Sequence, residues 1–308
     1  VSPICHTRIP AKLILFGEWG VLKKYPALGV ALDKYFVSTI EETHEEGLFI
    51  ESPECTFHWK EKESKAPEFL KTTQEALLFI FKNPFEVLNK KKLKLVRNWK
   101  MSEGLGSSSA LFLSLLLLRH KLLFEKNKIN FEDILSFQQK LIEFQGGGSG
   151  FDLLIQACGG FVRVNPLKKQ ILHLPPELLF VHTGNKMKTH EALETLYKSP
   201  NSLHDKIFSE IGKSTENFLS QQNWEICIHE HFELLKMLGV VPDFVLALQK
   251  EWVEKKWISS LKTTGAGGGD TLVLWTNPDY KKELLQDLIQ KGFWIDETKP
   301  SSASVVDF

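Results

Sequence analysis

A surplus of charge of one sign is missing from this chain. Its 38 lysines and arginines are matched by 38 aspartates and glutamates over 308 residues. A balanced chain carries no electrostatic footprint for nucleic acid or for an anionic membrane surface, and neither is expected as a partner. The basic run Lys90–Lys94 reads as a solvated face. Cysteine is scarce: Cys5, Cys55, Cys158 and Cys227 stand far apart. Their spacing excludes a zinc ribbon and a redox CxxC pair, and fits free thiols in a reducing compartment. A long hydrophobic run is missing too. The most apolar stretch, Ala110–Leu118, meets Arg119 and His120 before it could span a bilayer. With no apolar leader at its start, the chain reads as soluble and cytoplasmic. No tandem repeat is visible, which excludes solenoids and propellers.

What the chain does have is apolar mass and glycine in groups. Hydrophobic residues make up 43%, enough at this length for a large core and two domains. The first glycine group is Glu103–Ala110, EGLGSSSA, which runs directly into LFLSLLLL. Gly104 and Gly106 permit turns that other residues resist, and let a ligand approach the main chain. A helix starting at the serines points unpaired N–H groups outward at its positive end, a setting that suits phosphate. A serine hydroxyl there can reach a phosphate oxygen or Mg²⁺. The same letters also fit an ordinary turn with a serine N-cap. A Walker A loop is excluded, because no Lys-Ser or Lys-Thr follows the second glycine.

Two more glycine groups follow. Gln145–Gly160, QGGGSGFDLLIQACGG, places Asp152 between a glycine loop and an apolar run. A carboxylate there is costly unless paired or working, so Asp152 reads as functional, with an N-cap as the structural alternative. Lys262–Asp270, KTTGAGGGD, packs Gly265, Gly267, Gly268 and Gly269 into five positions. That density points to backbone brought close to a ligand. Near the start, Lys12–Phe16 reads as a strand broken by Gly17, and Lys12 and Glu18 face a cleft or lie solvated on an edge.

Periodicity predicts short strands over 33–41, 47–51, 57–60, 161–164, 171–174, 178–182, 271–275 and 293–295, and one leading from Leu93 to Trp99. Helices are predicted over 67–83, 109–124, 130–144, 190–197, 205–221, 224–238, 242–254 and 279–291, with Asn130 as an N-cap. The helix 109–124 is apolar nearly all round and so belongs in the middle of a domain. Trp59 and Trp99 suit an adenine wall or, more ordinarily, a core. Cys227, His229 and His231 fall two apart on a helix and do not share a face, so they read as helix surface and core, not as a metal site. A turn at Pro166–Lys169 divides the chain into 1–166 and 167–308.

Taken in order, the glycine groups resemble the signature motifs of the GHMP kinases (galactokinase, homoserine kinase, mevalonate kinase, phosphomevalonate kinase). PAKLILFGEWGVLKKYPAL is similar to the family's PGK…GEH-V…PA, EGLGSSSA to P-x-G-x-G-L-G-S-S-A, and KTTGAGGGD to K-x-T-G-A-G-G-G. Between the last two, GSGFD…GG resembles the segment with the family's catalytic aspartate. Ala11 and Trp19 depart from the first motif, and the leading proline of the second is missing.

The resemblance implies an α+β fold. Its N-terminal α/β domain has a left-handed β-α-β unit, an exception to the usual hand, and packs against a ferredoxin-like C-terminal domain. It implies ATP and Mg²⁺ as cofactors, a small-molecule acceptor, and a monomer or homodimer. By motif position, Lys12 and Asp152 are the catalytic pair. Gly104, Leu105, Gly106, Ser107, Ser108 and Ser109 are the ATP cradle. Lys12, Glu18, Asp152, Thr189, Gly265, Ala266, Gly267 and Gly268 lie toward the substrate. Ser108 and Glu143 are the metal contacts, although Glu143 sits two residues closer to Asp152 than in mevalonate kinases. GSGFD, GAGGGD and Trp19 lean toward the bacterial phosphomevalonate kinases. A phosphate acceptor needs cations, for which Lys12, Arg163, Lys186 and Lys188 are candidates. The alternatives are a mevalonate kinase with Asp152 as base, a non-catalytic ligand sensor on the same fold, and a mevalonate-diphosphate decarboxylase relative.

Overall fold

The computed structural model describes residues 3–61, 63–100, 103–124, 129–185, 201–265 and 267–302. The chain opens with two long antiparallel strands, β1 (Cys5–Phe16) and β2 (Ala27–Glu42), joined through a short 3-10 turn at Gly20–Lys23. Then come β3 (Leu48–Glu51), β4 (Thr56–Trp59), α1 (Glu68–Phe81), α2 (Pro84–Leu88) and β5 (Lys91–Arg97). Three helices, α3 (Ser107–Phe124), α4 (Phe131–Gln145) and α5 (Phe151–Cys158), precede β6 (Phe161–Val164) and β7 (Lys168–Gln170). These strands form one sheet in the order β4-β3-β5-β2-β6-β7, with β1 also paired to β2. The pairing of β3 with β5 is parallel.

The second sheet belongs to the rest of the chain: β8 (Leu178–His182), α6 (Asn201–Gln221), α7 (Trp224–Met237), α8 (Asp243–Glu254), β9 (Ile258–Thr263), β10 (Thr271–Thr276), α9 (Lys281–Gln290) and β11 (Trp294–Asp296). Its order, β11-β8-β10-β9, is antiparallel throughout. Numbered within the sheet, that is strand order 4-1-3-2 in a β-α-β-β-α-β sequence, the ferredoxin-like arrangement. The change of sheet lies between Gln170 and Leu178, a few residues beyond the turn at Pro166–Lys169.

Helix α3 organises the first core. It is long and apolar enough to cross a bilayer by length and composition. Yet Ser109–Leu118 are buried in protein, against β1, α1, α4 and α5. A helix apolar on every side needs such all-round cover. Helix α4 starts on a full capping box, the Asn130 side chain accepting from Asp133 N–H and the Asp133 carboxylate accepting from Asn130 N–H. A second core lies on the β8–β11 sheet, from Val181, Leu261, Leu272 and Leu274 to Phe232, Leu235 and Trp252. Phe16 at the end of β1 joins the two halves, its ring 4.6 Å from that of Phe218 on α6.

One predicted element is absent and two observed elements were not predicted. The strand expected over 171–174 is absent, and Ile171 is 92% exposed; the pairing residues are the preceding Lys168–Gln170. Helix α2 was not anticipated, because five residues are too few to show a 3.6-residue period. Strand β9 was missed because its buried positions include Ser260, Lys262 and Thr263, so no apolar alternation marks it.

Candidate active site

The site starts from Lys12. It lies on β1, its side chain only 7% exposed, and its Nζ stands 3.0 Å from Oδ1 of Asp152, which is 36% exposed. Asp152 occupies the first turn of α5, behind Gly150 in the left-handed region at φ +63°. Glycine there allows the chain to turn sharply from the loop into the helix. The N-cap position itself is Gly150, so Asp152 is not the cap.

The EGLGSSSA loop wraps over the same lysine. Lys12 N–H donates to Leu105 O at 3.1 Å. A Cβ on Gly106 would stand 2.9 Å from Lys12 Cγ and Cε, at φ +81°, so only glycine fits. Gln156 on α5 donates from Nε2 to Gly106 O at 3.1 Å. Helix α3 begins at once. Ser109 turns inward, its hydroxyl donating to Gly106 O at 3.0 Å. Ser107 accepts from Trp99 Nε1 at 2.9 Å, so the buried Trp99 braces the loop. Ser108 is exposed, and its hydroxyl lies 3.5 Å from Gln145 Nε2. Glu143 is exposed on α4, and no hydrogen bond or ion pair ties it to Ser108 or Asp152 among the described residues.

The third motif meets the second. A Cβ on Gly104 would lie 2.4 Å from Asp270 Oδ2. Thr271 donates its hydroxyl to Glu103 O at 2.8 Å. Gly267, at φ +90°, packs under Val240 O, and Gly268 is buried beside it. Gly265 faces open space at φ +64°. Thr189, Ala266, Lys186 and Lys188, together with the helix predicted over 190–197, lie outside the described residues.

Glu18 is placed differently from an open cleft residue. It is 2% exposed and forms an ion pair with Lys262 of β9. Lys262, fully buried, also donates to Leu15 O at 2.9 Å. Burial raises the Glu18 pKa, and the neighbouring Lys262 charge and hydrogen bond partly offset that rise. Next to it, Gly17 N–H donates to His231 Nε2 at 3.2 Å, while His231 Nδ1 lies 3.0 Å from Cys227 O. Burial, helped by the Lys262 charge, pushes the His231 pKa down to about 3, so the ring is a neutral acceptor. Cys227 and His231 are thus core groups and His229 is surface. Trp19, at φ 68°, is part of the second core.

Sequence reading overlooked Lys262 and Asp270, which lie inside the third motif but were passed over for its glycines. It also missed Gln156, Lys34, His182 and Asp296, and read His231 as a core group without its bond to Gly17. For Lys262 the usable signal was a lysine in a strand that leads into a glycine loop. For His231 it was the i, i+4 spacing to Cys227.

Gly106 of the second motif lies on Lys12, Asp152 pairs with that lysine, and the third motif reaches the second through Asp270 and Thr271. No family model matches the chain. A mevalonate kinase from Pyrococcus furiosus is 29% identical over 290 residues, covering 84% of this chain and 85% of that protein. These likenesses support assignment to the GHMP kinase family. A solved mevalonate kinase shares the fold of this chain with a TM-score of 0.75 and 23% identity, over 96% of this chain and 99% of the other. Streptococcus pneumoniae phosphomevalonate kinase, in complex with phosphomevalonate and AMPPNP, gives a TM-score of 0.71 and 16% identity over 96% and 100%. The expected two-domain α+β GHMP fold is therefore borne out. The leaning toward phosphomevalonate kinases is not: the sequence relatives favour the mevalonate kinase alternative.

Proposed function

We infer that this GHMP kinase transfers the γ-phosphoryl group of ATP to an alcohol, and that the alcohol is mevalonate. The observation that carries the reading is the Lys12–Asp152 pair, 3.0 Å apart directly under the Gly104–Gly106 loop. An alcohol must lose a proton as its oxygen attacks, and a positioned general base contributes ~10²–10⁴-fold. A phosphate acceptor needs no base but does need surplus cations against the charge of ATP. The candidate cations among the described residues are already neutralised: Lys12 by Asp152 and Arg163 by Glu216. Lys262 is likewise committed to Glu18. That pairing supports an acceptor of low charge.

In this reading the N–H groups at the start of α3 hold the nucleotide phosphates, aided by the helix dipole. The residues fit that role, since glycines at Gly104 and Gly106 keep side chains out of the cradle and Ser108 is exposed at its rim. Mg²⁺, when bound with the nucleotide, screens phosphate charge, and Ser108 would hold it. Asp152 takes the acceptor's hydroxyl proton. The acceptor oxygen then bonds to the γ-phosphorus as the bond to the β–γ bridging oxygen breaks, leaving ADP. Lys12 orients Asp152 and places positive charge beside the transferring group. By motif position Gly265, Gly267 and Gly268 are assigned to the acceptor side.

A coupled ADP-release assay across mevalonate, phosphomevalonate, homoserine and galactose tests the reading. ADP release that depends on mevalonate is the expected result. Faster release with phosphomevalonate would restore the phosphate-acceptor reading. Nucleotide binding without turnover on any acceptor would favour a sensor.

A further inference from the structure

Behind the phosphate loop lies a ring of polar side chains with no part in the chemistry above. Glu103, the residue before Gly104, is fixed on three sides. Its Oε1 accepts from Lys100 N–H at 3.0 Å, its Oε2 from Lys34 Nζ at 3.2 Å, and its carbonyl from the Thr271 hydroxyl at 2.8 Å. Lys34, on β2, donates also to Asp296 Oδ2 on β11 at 2.9 Å. The ring closes through His182 on β8, whose Nε2 lies 2.9 Å from that same Asp296 oxygen and whose Nδ1 lies 3.0 Å from Thr271 Oγ1. Asp296 and His182 are 1% and 0% exposed.

Three features set this ring apart from a chance surface network. Its members come from both sheets and from the loop between them. Carboxylates as buried as Asp296 and Glu103 cost stability unless fully bonded, and apolar groups would join the sheets at least as firmly. What charged groups in fixed geometry provide instead is position. Finally, the carboxylates of Glu103 and Asp296 and the His182 ring come together as metal ligands would. The Lys34 ammonium already sits among them as the cation.

We propose that Glu103 is a positioning residue for the phosphate loop, and that Lys34 acts as a built-in cation locking Glu103 to the second sheet so that the loop is preset for a nucleotide. The proposal rests on the nucleotide-site reading given above. Its consequence is that the ring sets affinity for the nucleotide and not for the acceptor.

The test uses the full chain with Lys34→Met, Lys34→Arg and Glu103→Gln. Calorimetric affinity for Mg·AMPPNP should fall by about tenfold or more in Lys34→Met, since an ångström of misplacement is costly at such a site. Lys34→Arg should recover most of the loss, and the acceptor KM should stay within about twofold in every variant. Amides of residues 103–107 and 294–296 should exchange faster in Lys34→Met, nucleotide-free, than in the wild type. If Lys34→Met does not fold, Glu103→Gln supplies the same readings. Lower thermal stability with wild-type affinity for Mg·AMPPNP would overturn the proposal, as would equal losses for nucleotide and acceptor. Wild-type binding of Mg·AMPPNP tests the kinase reading separately. The nucleotide-free exchange at 294–296 judges the ring whatever the ligand result.

Discussion

Lys12 on β1 and Asp152 on α5 meet at 3.0 Å, the lysine nearly enclosed and the aspartate partly exposed. That asymmetry assigns the roles: the open group meets the acceptor, and the enclosed one holds it in place. Asp152→Asn should lower kcat on mevalonate by ~10²–10⁴-fold. Calorimetric affinity for Mg·ADP should hardly change. Lys12→Met should lose a similar factor, and the double variant little more, because the two act as a unit. Full additivity in steady-state kinetics would argue against the pairing.

Gly106 should tolerate no side chain. Alanine there would drive its Cβ against Lys12 Cγ and Cε in a backbone at φ +81°. Gly106→Ala should lower kcat/KM for ATP by ~10²-fold through displacement of the loop and the lysine together. Gly146→Ala is the control. Its φ is +70°, but nothing lies within 4 Å of the added carbon. It should cost only the backbone strain of about 1–2 kcal/mol, read as a lower melting temperature at unchanged turnover.

The contrast between these glycines shows what the sequence made legible. Gly104, Gly106, Gly265 and Gly267 sit in ordered motifs, and it was the resemblance of those motifs to one family, not their spacing, that implied a shared pocket. Helix α3 declared itself by being apolar on every face, and α4 by Asn130. The groups that escaped notice are polar residues that fold into the interior. Lys34, Lys262 and His182 are chemically ordinary in a row of letters. Their meaning comes from partners 69, 262, 247 or 114 positions away. Hydrophobic period reports which face is buried, not which charge waits there to be matched. That is also why β9, with its buried serine, lysine and threonine, left no trace in the pattern.

Glu18 and Lys262 should behave as a buried pair. Removing the cation alone, in Lys262→Met, leaves a carboxylate whose pKa burial already raises. The expected loss of stability is about 3–5 kcal/mol by denaturant titration. Replacing both, as Glu18→Gln with Lys262→Met, removes the uncompensated charge and should recover most of it. A double variant no more stable than Lys262→Met would mean that Lys262 acts chiefly through its bond to Leu15 O.

His231 gives the fold an acid-sensitive point away from the reacting groups. Burial holds its pKa at about 3 in the native chain, against an ordinary 6.5. Between those values the unfolded chain binds a proton that the native one refuses, so stability falls as pH falls through this window. The slope from this one group approaches about 1.4 kcal/mol per pH unit. Glu18, with its pKa raised, works in the opposite sense and gains relative stability on acidification. His231→Gln isolates the histidine, since a glutamine oxygen can still accept the Gly17 N–H. Relative to that variant, the wild type should lose about 2 kcal/mol between roughly pH 6.5 and 4.5 in urea titrations. A difference that stays flat across those two pH values would mean that the ring is charged in the native fold. The bond from Gly17 would then need another account.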